Sequence, residues 1–347
     1  MKRATASKEG NGSVRIAAGL LVLAMAVAGT VVWGTRTSSQ DPRPLEQVTI
    51  AANTFYAGSC PILAAHENGY FGAEGLNVTI QPHTSGKAAL DAVLEDKASL
   101  GVSADIPIMF AGMRQQPIAV IATIFASESD YEVVGRKDRG ITTPASLRGK
   151  RIGVSLGTSG HFVLDAFLNR QKLSPSDVTA VDLKPEDIAP ALARGDIDAA
   201  ATWEPHVSAM KKALGTNSTA FSATGIYEAT SSVSGTRDYV ENNQEAVKKV
   251  LRALIQGGRF CQDAPEQARE MTGRFMKFSA EELKEPWALY RFRVVLDQSL
   301  LLTLEDEARW AIKNGLVGDK KEMPNYLNNI HLDGLLAVMP RAVTVIH

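Results

Sequence analysis

The segment "VSLGTSGHFVLDAF", residues 154–167, passes from an apolar strand ending through glycine, threonine, serine and glycine into a stretch with helical apolar spacing. A helix starts with backbone N–H groups that lack intrahelical acceptors and with the positive end of its dipole. An anion placed there meets several donors without help from lysine or arginine. Gly157 and Gly160 permit close backbone approach, Thr158 and Ser159 add hydroxyls, and His161 could add a ring N–H or, when protonated, a charge. The same residues also suit an ordinary strand-to-helix turn with Ser159 as N-cap, and on local grounds the two readings stand level.

A second set is "ATWEP", residues 201–205, at the carboxyl end of another strand. Trp203 could cover an apolar part of a ligand and Thr202 could donate to it, although packing between lobes would occupy a tryptophan equally well. Glu204 could meet a cation, but capping the following helix is the simpler role. Nearer the N-terminus, "TFYAGSC" sets Tyr56, Ser59 and Cys60 just after a first strand, while "SGK" (85–87) and "SAD" (103–105) follow the next two. Ligands of open α/β sheets sit outside such carboxyl ends. Tyr56, Ser59, Cys60, Ser85 and the Ala104 backbone are therefore candidate contacts. Asp105 reads as a cap for the helix at Pro107; Lys87 could neutralise an anion, although a solvated helix face is the simpler reading.

These loops need strands and helices that alternate, and the chain supplies them. "QVTIAAN", "NVTIQPH" and "SLGVSAD" are β-type runs separated by helical patterns in "PILAAHENGYFGAEGL" and "GKAALDAVLEDKA". "PIAVIATIFA" is predicted as a buried strand continuing through "YEVVGRK". A second series follows, with strands in "RIGVSL", "VTAVDLK" and "IDAAATW" and helices in "GHFVLDAFLNRQK" and "PEDIAPALARG"; Thr143 is placed to cap a short helix begun by Pro144. Two similar βαβ series predict an α/β protein with two mostly parallel sheets facing a cleft, the chain crossing back near "IYEATSSVSG". From about Tyr239 onward the pattern is helical.

Composition narrows the function classes. A chain of 347 residues, 45% hydrophobic and 22% charged, can build two lobes, and a net charge of -1 gives no basic excess that would point to nucleic acid. Two cysteines, Cys60 and Cys261, permit at most one bridge and no CxxC metal site. No HExxH, GxSxG or GxxxxGK[ST] motif is present, so neither metal nor cofactor is expected. Lys2, Arg3, Lys8 and Arg15 precede the uncharged run Ile16 to Trp33, an export segment that is either cleaved near Ala24, Ala26 and Ala28 or retained as an anchor.

The ordered series "AAHENGYFGAEGLNVTI", "LGVSAD", "VVGRKDRGITTPASLRGKRIGVSLGTSGHFVLDAFL" and "LKPEDIAPALARGDIDAAATWEPHVSAM" resembles the solute-binding components of ABC importers of the sulfonate, taurine and nitrate type. The resemblance implies a type II periplasmic binding fold and a non-catalytic, monomeric receptor. It further implies a small anionic ligand held between the lobes and handed to a membrane permease with its ATPase. It implies a periplasmic location, and it strengthens the ligand reading of the loop at 157–161. The hydroxyls ahead of His161 look most like those of taurine and alkanesulfonate binders. Nitrate, bicarbonate or thiamine-pyrimidine ligands, an enzyme of the pyrimidine-synthase type and a tethered sensor are the alternatives. The expected organisation is an export segment at 1–34, a linker at 35–46, a first lobe at 47–135, a second at 136–230, and a return to the first lobe with C-terminal helices over 231–347.

Overall fold

The computed structural model describes residues 45–319 and 322–346. The export segment expected at 1–34 and the linker up to 44 lie outside the described residues.

The first half of the fold alternates as the apolar patterns predict. Strand β1 (Glu46–Ala52) leads to helix α1 (Cys60–Glu67), then α2 (Tyr70–Ala73), β2 (Leu76–Pro82), α3 (Gly86–Leu94), β3 (Leu100–Ser103), α4 (Asp105–Met113) and β4 (Ile118–Ser127). The second runs β5 (Tyr131–Arg136), β6 (Arg151–Val154), α5 (Ser159–Arg170), β7 (Thr179–Asp182), α6 (Pro185–Arg194), β8 (Ala199–Trp203), α7 (His206–Leu214) and β9 (Ser218–Ser222). After β10 (Ala229–Thr236) come α8 (Arg237–Asn242), α9 (Gln244–Asp263), α10 (Pro265–Met276), α11 (Lys284–Trp287), α12 (Gln298–Lys313) and α13 (Asp333–Val338). Local chemistry sets several boundaries. Pro61 sits in the first turn of α1, the Ser85 hydroxyl accepts the Ala88 N–H at 3.1 Å to cap α3, and Gly195 ends α6 with a left-handed φ of 83°. Thr143 forms the predicted capping box over the short helix at Pro144–Leu147.

The strands form two five-stranded sheets, ordered β2-β1-β3-β10-β4 and β7-β6-β8-β5-β9. In each, β1 or β6 pairs in parallel with both neighbours, and one strand, β10 or β5, is antiparallel to both of its own. The reversed strand is the one that has just arrived from the other sheet. The other strands of each sheet end at the cleft, so a strand entering from the cleft must run the opposite way. The crossings lie at 128–130, between β4 and β5, and at 223–228, between β9 and β10.

Several expectations are corrected. "YEVVGRK" does not continue β4: β5 pairs with β8 and β9 in the second sheet, so the first crossing falls before Tyr131 rather than at 135/136. β10 starts at Ala229, just ahead of the return expected at 231, and β1 starts at Glu46, inside the expected linker. "STAFS" is a strand, half-exposed at the sheet edge, where no apolar alternation marks it. Gly69, at φ 72°, divides the first predicted helix into α1 and α2.

The first lobe holds the main core, built around the buried β4, α1 and α9. The second packs on both faces of its sheet: Val133 points to one cluster with Leu164 and Phe167, and its neighbour Val134 to another with Ile188, Leu192 and Met210. α1 and α9 lie very close, and Cys60 and Cys261 join them in a disulfide across 201 residues, with Cα atoms 6.2 Å apart. One turn earlier on α9, a Cβ at Gly257 would sit 2.1 Å from the Pro61 carbonyl oxygen, whereas one at Gly258 would meet nothing closer than 3.7 Å. Gly257→Ala is expected to destabilise the fold by about 1–3 kcal/mol through overpacking, while Gly258→Ala, which fits, should cost little or gain up to about 1 kcal/mol of helix propensity. Urea unfolding of the two variants side by side tests this; equal effects would contradict the packing.

Candidate ligand-binding site

Between the lobes lies a cavity of about 40 Å3, lined by Asn53, Tyr56, Ser59, Ser85, Lys87, Ser103 and Ala104 with Thr230 and Ser231 on one side, and by Tyr131, Thr158, Ser159 and Trp203 on the other. Its size is that of about three water molecules. Hydroxyls dominate the wall because every loop that reaches it follows the carboxyl end of a strand or, at Tyr131 and Thr230, lies where a crossing strand begins.

Two helix starts converge on this space from opposite lobes. Ser85 caps α3, with Gly86 and Lys87 in its first turn. Thr158 is the N-cap of α5, and no side chain caps it; the Thr158 hydroxyl turns back to donate to the Ser155 carbonyl at 2.7 Å. Ser159 is therefore the first helical residue and not the cap. Its hydroxyl crosses the cleft to donate to Asp105 at 3.3 Å and also meets the Tyr131 hydroxyl. Gly157 has φ 73°, a left-handed backbone that favours glycine. At Gly160 a Cβ would stand 3.3 Å from the Ala201 carbonyl oxygen and 3.6 Å from the Trp203 ring, so the small residue lets the helix mouth lie against the indole.

Of the residues singled out from sequence, Tyr56, Ser59, Ser85, Ala104, Thr158, Ser159 and Trp203 line the cavity. Gly157 and His161 line a neighbouring recess with Lys87 and Arg114. His161 is buried, its ring 5.2 Å from Trp310 and its Nε2 4.0 Å from Asp165; burial lowers its pKa against the opposing pull of Asp165. Cys60 is fully buried in its disulfide and lies outside the cavity, because one step along α1 from Ser59 turns the side chain into the core. Thr202 precedes Trp203 on β8 and so faces away; it is fully buried, outside the lining. Glu204 accepts the Ser208 N–H at 3.2 Å, the helix-capping role. Asn53, Ser103, Tyr131, Thr230 and Ser231 were not anticipated. Ser103 Oγ is buried without a hydrogen-bond partner among the described residues, a signal only the assembled site reveals.

The electrostatics of the cleft are set by buried carboxyls just behind the wall. Asp105 does not merely cap α4: it is fully buried and accepts from Tyr227, from Thr230 at 3.0 Å and from the Ile106 N–H at 2.9 Å. Burial raises its pKa, and these hydrogen bonds oppose the rise. Glu307 of α12, beside it, is pushed well above the usual carboxylate range by burial and then by the Asp105 charge. Asp130, in the first crossing, accepts from the Tyr56 hydroxyl at 3.0 Å and from Tyr290 at 3.4 Å. Burial, reinforced by Glu204, raises the Asp130 carboxyl to about 8. At neutral pH Asp130 is thus largely protonated, and the lining residue that carries positive charge, Lys87, is paired with Asp91 at 2.7 Å.

Two lobes joined by reversed crossing strands, with a polar cavity at the hinge, define a periplasmic-binding-protein fold. The chain belongs to the NMT1/THI5-like family, whose model matches residues 57–268. The taurine-binding periplasmic protein of Escherichia coli is 31% identical over 166 residues, 48% of this chain and 50% of its own length. A 4-amino-5-hydroxymethyl-2-methylpyrimidine phosphate synthase of Schizosaccharomyces pombe is 32% identical over 138 residues, 40% of this chain and 39% of that one. Among solved structures, the alkanesulfonate-binding protein SsuA from Xanthomonas axonopodis pv. citri, bound to MOPS, superimposes with a TM-score of 0.72 at 18% identity, covering 82% of this chain and 98% of its own.

The raised Asp130 pKa carries a stability consequence. The folded chain keeps this proton up to about pH 8, whereas an unfolded aspartate loses it near 3.8. The stability it contributes is fully present below about pH 4 and is lost as pH rises towards 8. Asp130→Asn, which keeps an acceptor for Tyr56, is expected to flatten the fall of stability between pH 5 and 8 by up to about 1.4 kcal/mol per pH unit, seen as a shallower fall of Tm. Thermal melts across that range check it; parallel curves for the two proteins would refute the assignment.

Proposed function

We propose that the protein is the solute-binding component of an ABC importer, exported to the periplasm, which captures a small organosulfonate by lobe closure and delivers it unchanged to a membrane permease. The observation that carries the reading is the convergence of two helix starts, one from each lobe, on a hydroxyl-lined cavity. The proposed contacts are Ser59, Ser85, the Ala104 backbone, Thr158, Ser159 and Trp203. A tetrahedral sulfonate presents three oxygens, which match a fan of N–H and O–H donors. Trp203 would cover the carbon next to it. Asp130, raised to about 8 by burial, is largely protonated at neutral pH, and burial together with Asp105 pushes Glu307 in the same direction, which lowers the negative charge an anion would meet. The E. coli taurine-binding relative and the fold likeness to an alkanesulfonate-binding protein support the same ligand class.

Closure itself has a visible element. Ser159 of the second lobe donates to Asp105 of the first, so bringing the lobes together completes hydrogen bonds at the cavity wall. The lobes are proposed to divide at the two crossings, with the C-terminal helices on the first. A catalytic role finds less support: His66, in the segment shared with the family, is exposed on α1 beside Glu67, outside the cavity lining.

A thermal-shift screen of the portion from Ser38 onward, against taurine, alkanesulfonates, nitrate, bicarbonate and hydroxymethylpyrimidine, tests the ligand class. A sulfonate at a hundredfold excess over its Kd should add about 2.7 kcal/mol of stability; a shift with the pyrimidine alone would overturn the reading. By calorimetry, Trp203→Ala and the double Thr158→Ala, Ser159→Ala change are each expected to weaken sulfonate binding by about 1–3 kcal/mol. Unchanged affinity in both would remove these residues from the site.

A further inference from the structure

On the first lobe a recess of about 320 Å3, sharing no lining residue with the hydroxyl-lined cavity, forms where α9, the extended segment 292–295 and the chain at 339–342 meet. Backbone hydrogen bonds hold the pieces in place. The Thr123 N–H donates to the Val295 carbonyl at 2.8 Å, the Val295 N–H donates back to the Thr123 carbonyl at 2.9 Å, and the Leu296 N–H donates to the Ala342 carbonyl at 2.9 Å. The floor is apolar: Phe292, Val294 and Ala342 are buried, and Ile255, Val295 and Met339 half-buried. Gly258 keeps it open. A Cβ there would meet Val294 Cγ2 at 3.7 Å and the Phe292 carbonyl oxygen at 3.8 Å and nothing nearer, so α9 leaves room that a longer side chain at this position would enter.

The rim is basic. Arg259, Arg293 and Arg341, one from each of the three pieces, line the recess and are exposed. Alternation along 292–294 turns Arg293 outward and its two neighbours inward. Arg293 donates to Asp297 at 3.3 Å, whereas the Arg259 and Arg341 side chains have no ion pair or hydrogen bond among the described residues. In a chain of net charge -1, this rim therefore carries positive charge that no acid of its own offsets. An apolar floor inside a polar rim rich in arginine is the composition of a protein-binding patch. Guanidiniums spread over three segments call for several acids around one apolar group, which an acidic peptide supplies and a small monoanion does not. A bilayer surface fits less well, since it takes up apolar side chains that protrude, and those of this recess are sunk below exposed arginines. We infer that the recess docks an acidic segment of a partner protein, with one large apolar side chain seated over Gly258 and flanking Asp or Glu residues meeting Arg259 and Arg341. Docking here is independent of which solute the cleft takes.

Fluorescence anisotropy of a labelled peptide with a phenylalanine between two short runs of glutamate, titrated with the full chain at low salt, tests it. Replacing the glutamates by glutamine, or the phenylalanine by alanine, is expected to weaken binding by about tenfold or more in each case. Raising the salt to about 0.5 M should weaken the acidic peptide towards the neutral one. The pair Arg259→Gln, Arg341→Gln, at exposed positions outside the cleft, should lose the preference for the acidic peptide with the parent's melting temperature unchanged. Gly258→Leu, which fills the floor, should lose the preference for phenylalanine. Equal binding of all the peptides, binding of none, or an acidic preference that survives the arginine substitutions overturns the docking surface. Co-sedimentation with vesicles of phosphatidylglycerol and phosphatidylcholine, lost in the arginine variant while the peptide goes unbound, overturns it as well and assigns the arginines to a membrane.

Discussion

The rest of the structure depends on one topological constraint: the chain crosses between the lobes twice, and both sheets present carboxyl strand ends to the gap. That arrangement forces β5 and β10 to run against their neighbours. It also aims the starts of α3, α4 and α5 at the same space, since each follows a strand ending there. Donors therefore gather at the cleft without any basic cluster. The crossings are themselves packed together, with the Tyr131 and Tyr227 rings 5.3 Å apart and nearly perpendicular. Their polar ends are tied to the first lobe, Tyr227 through Asp105 and the Asp130 carboxyl through Tyr56 and Tyr290.

Three carboxyls buried beside a cavity proposed for an anion look contradictory until their protonation is considered. Taking a carboxylate out of water is so costly that the group keeps its proton instead. For Asp130, raised to about 8, burial removes most of the charge that would repel a sulfonate at neutral pH, and for Glu307 it acts in the same direction. The remaining acid, Asp105, has hydrogen bonds from Tyr227, Thr230, Ser159 and the Ile106 N–H directed at it, so its charge is screened from the cavity by the groups that hold it. A hydroxyl-rich wall whose one lysine, Lys87, is already paired with Asp91 suits a solute that must later leave, because dipoles hold an anion without the deep well of a buried ion pair.

Much of this was legible in the sequence because it is encoded locally. Alternating apolar patterns marked most strands and helices, and the small polar residues at 157–160 marked the mouth of α5. What escaped was set by tertiary direction. Ser59 and Cys60 are adjacent, yet one faces the cleft and the other the α9 helix; Thr202 and Trp203 differ by the pleat of a single strand. Tyr131 could not be assigned while β5 was read as an extension of β4. Ser231 and Thr230 lay in a segment recognised as a crossing, but which of its residues face the gap follows from pairing with β3 and β4. The Cys60–Cys261 bridge joins residues 201 apart, and nothing in the intervening chain announces that α1 and α9 touch.

The C-terminal helices, the least informative part of the sequence, reach the site from behind. Trp310 of α12 is wedged between the lobes, 6.1 Å from Phe110 of α4 and 5.2 Å from both His161 and Phe162 of α5, and its indole N–H donates to Asp165 at 3.0 Å. Three residues earlier on the same helix, Glu307 faces Asp105. One helix thus meets Asp105 on the first lobe and, on the second, the first turns of α5 just beyond Ser159, whose hydroxyl donates to Asp105 across the cleft. Separating the lobes must either break the Trp310 contacts with α5 or carry α12 along and expose the Asp105–Glu307 pair to water. His161 belongs to the same brace: its ring packs on Trp310, burial lowers its pKa against the opposing pull of Asp165, and the Gly157 N–H approaches its Nδ1 at 3.5 Å.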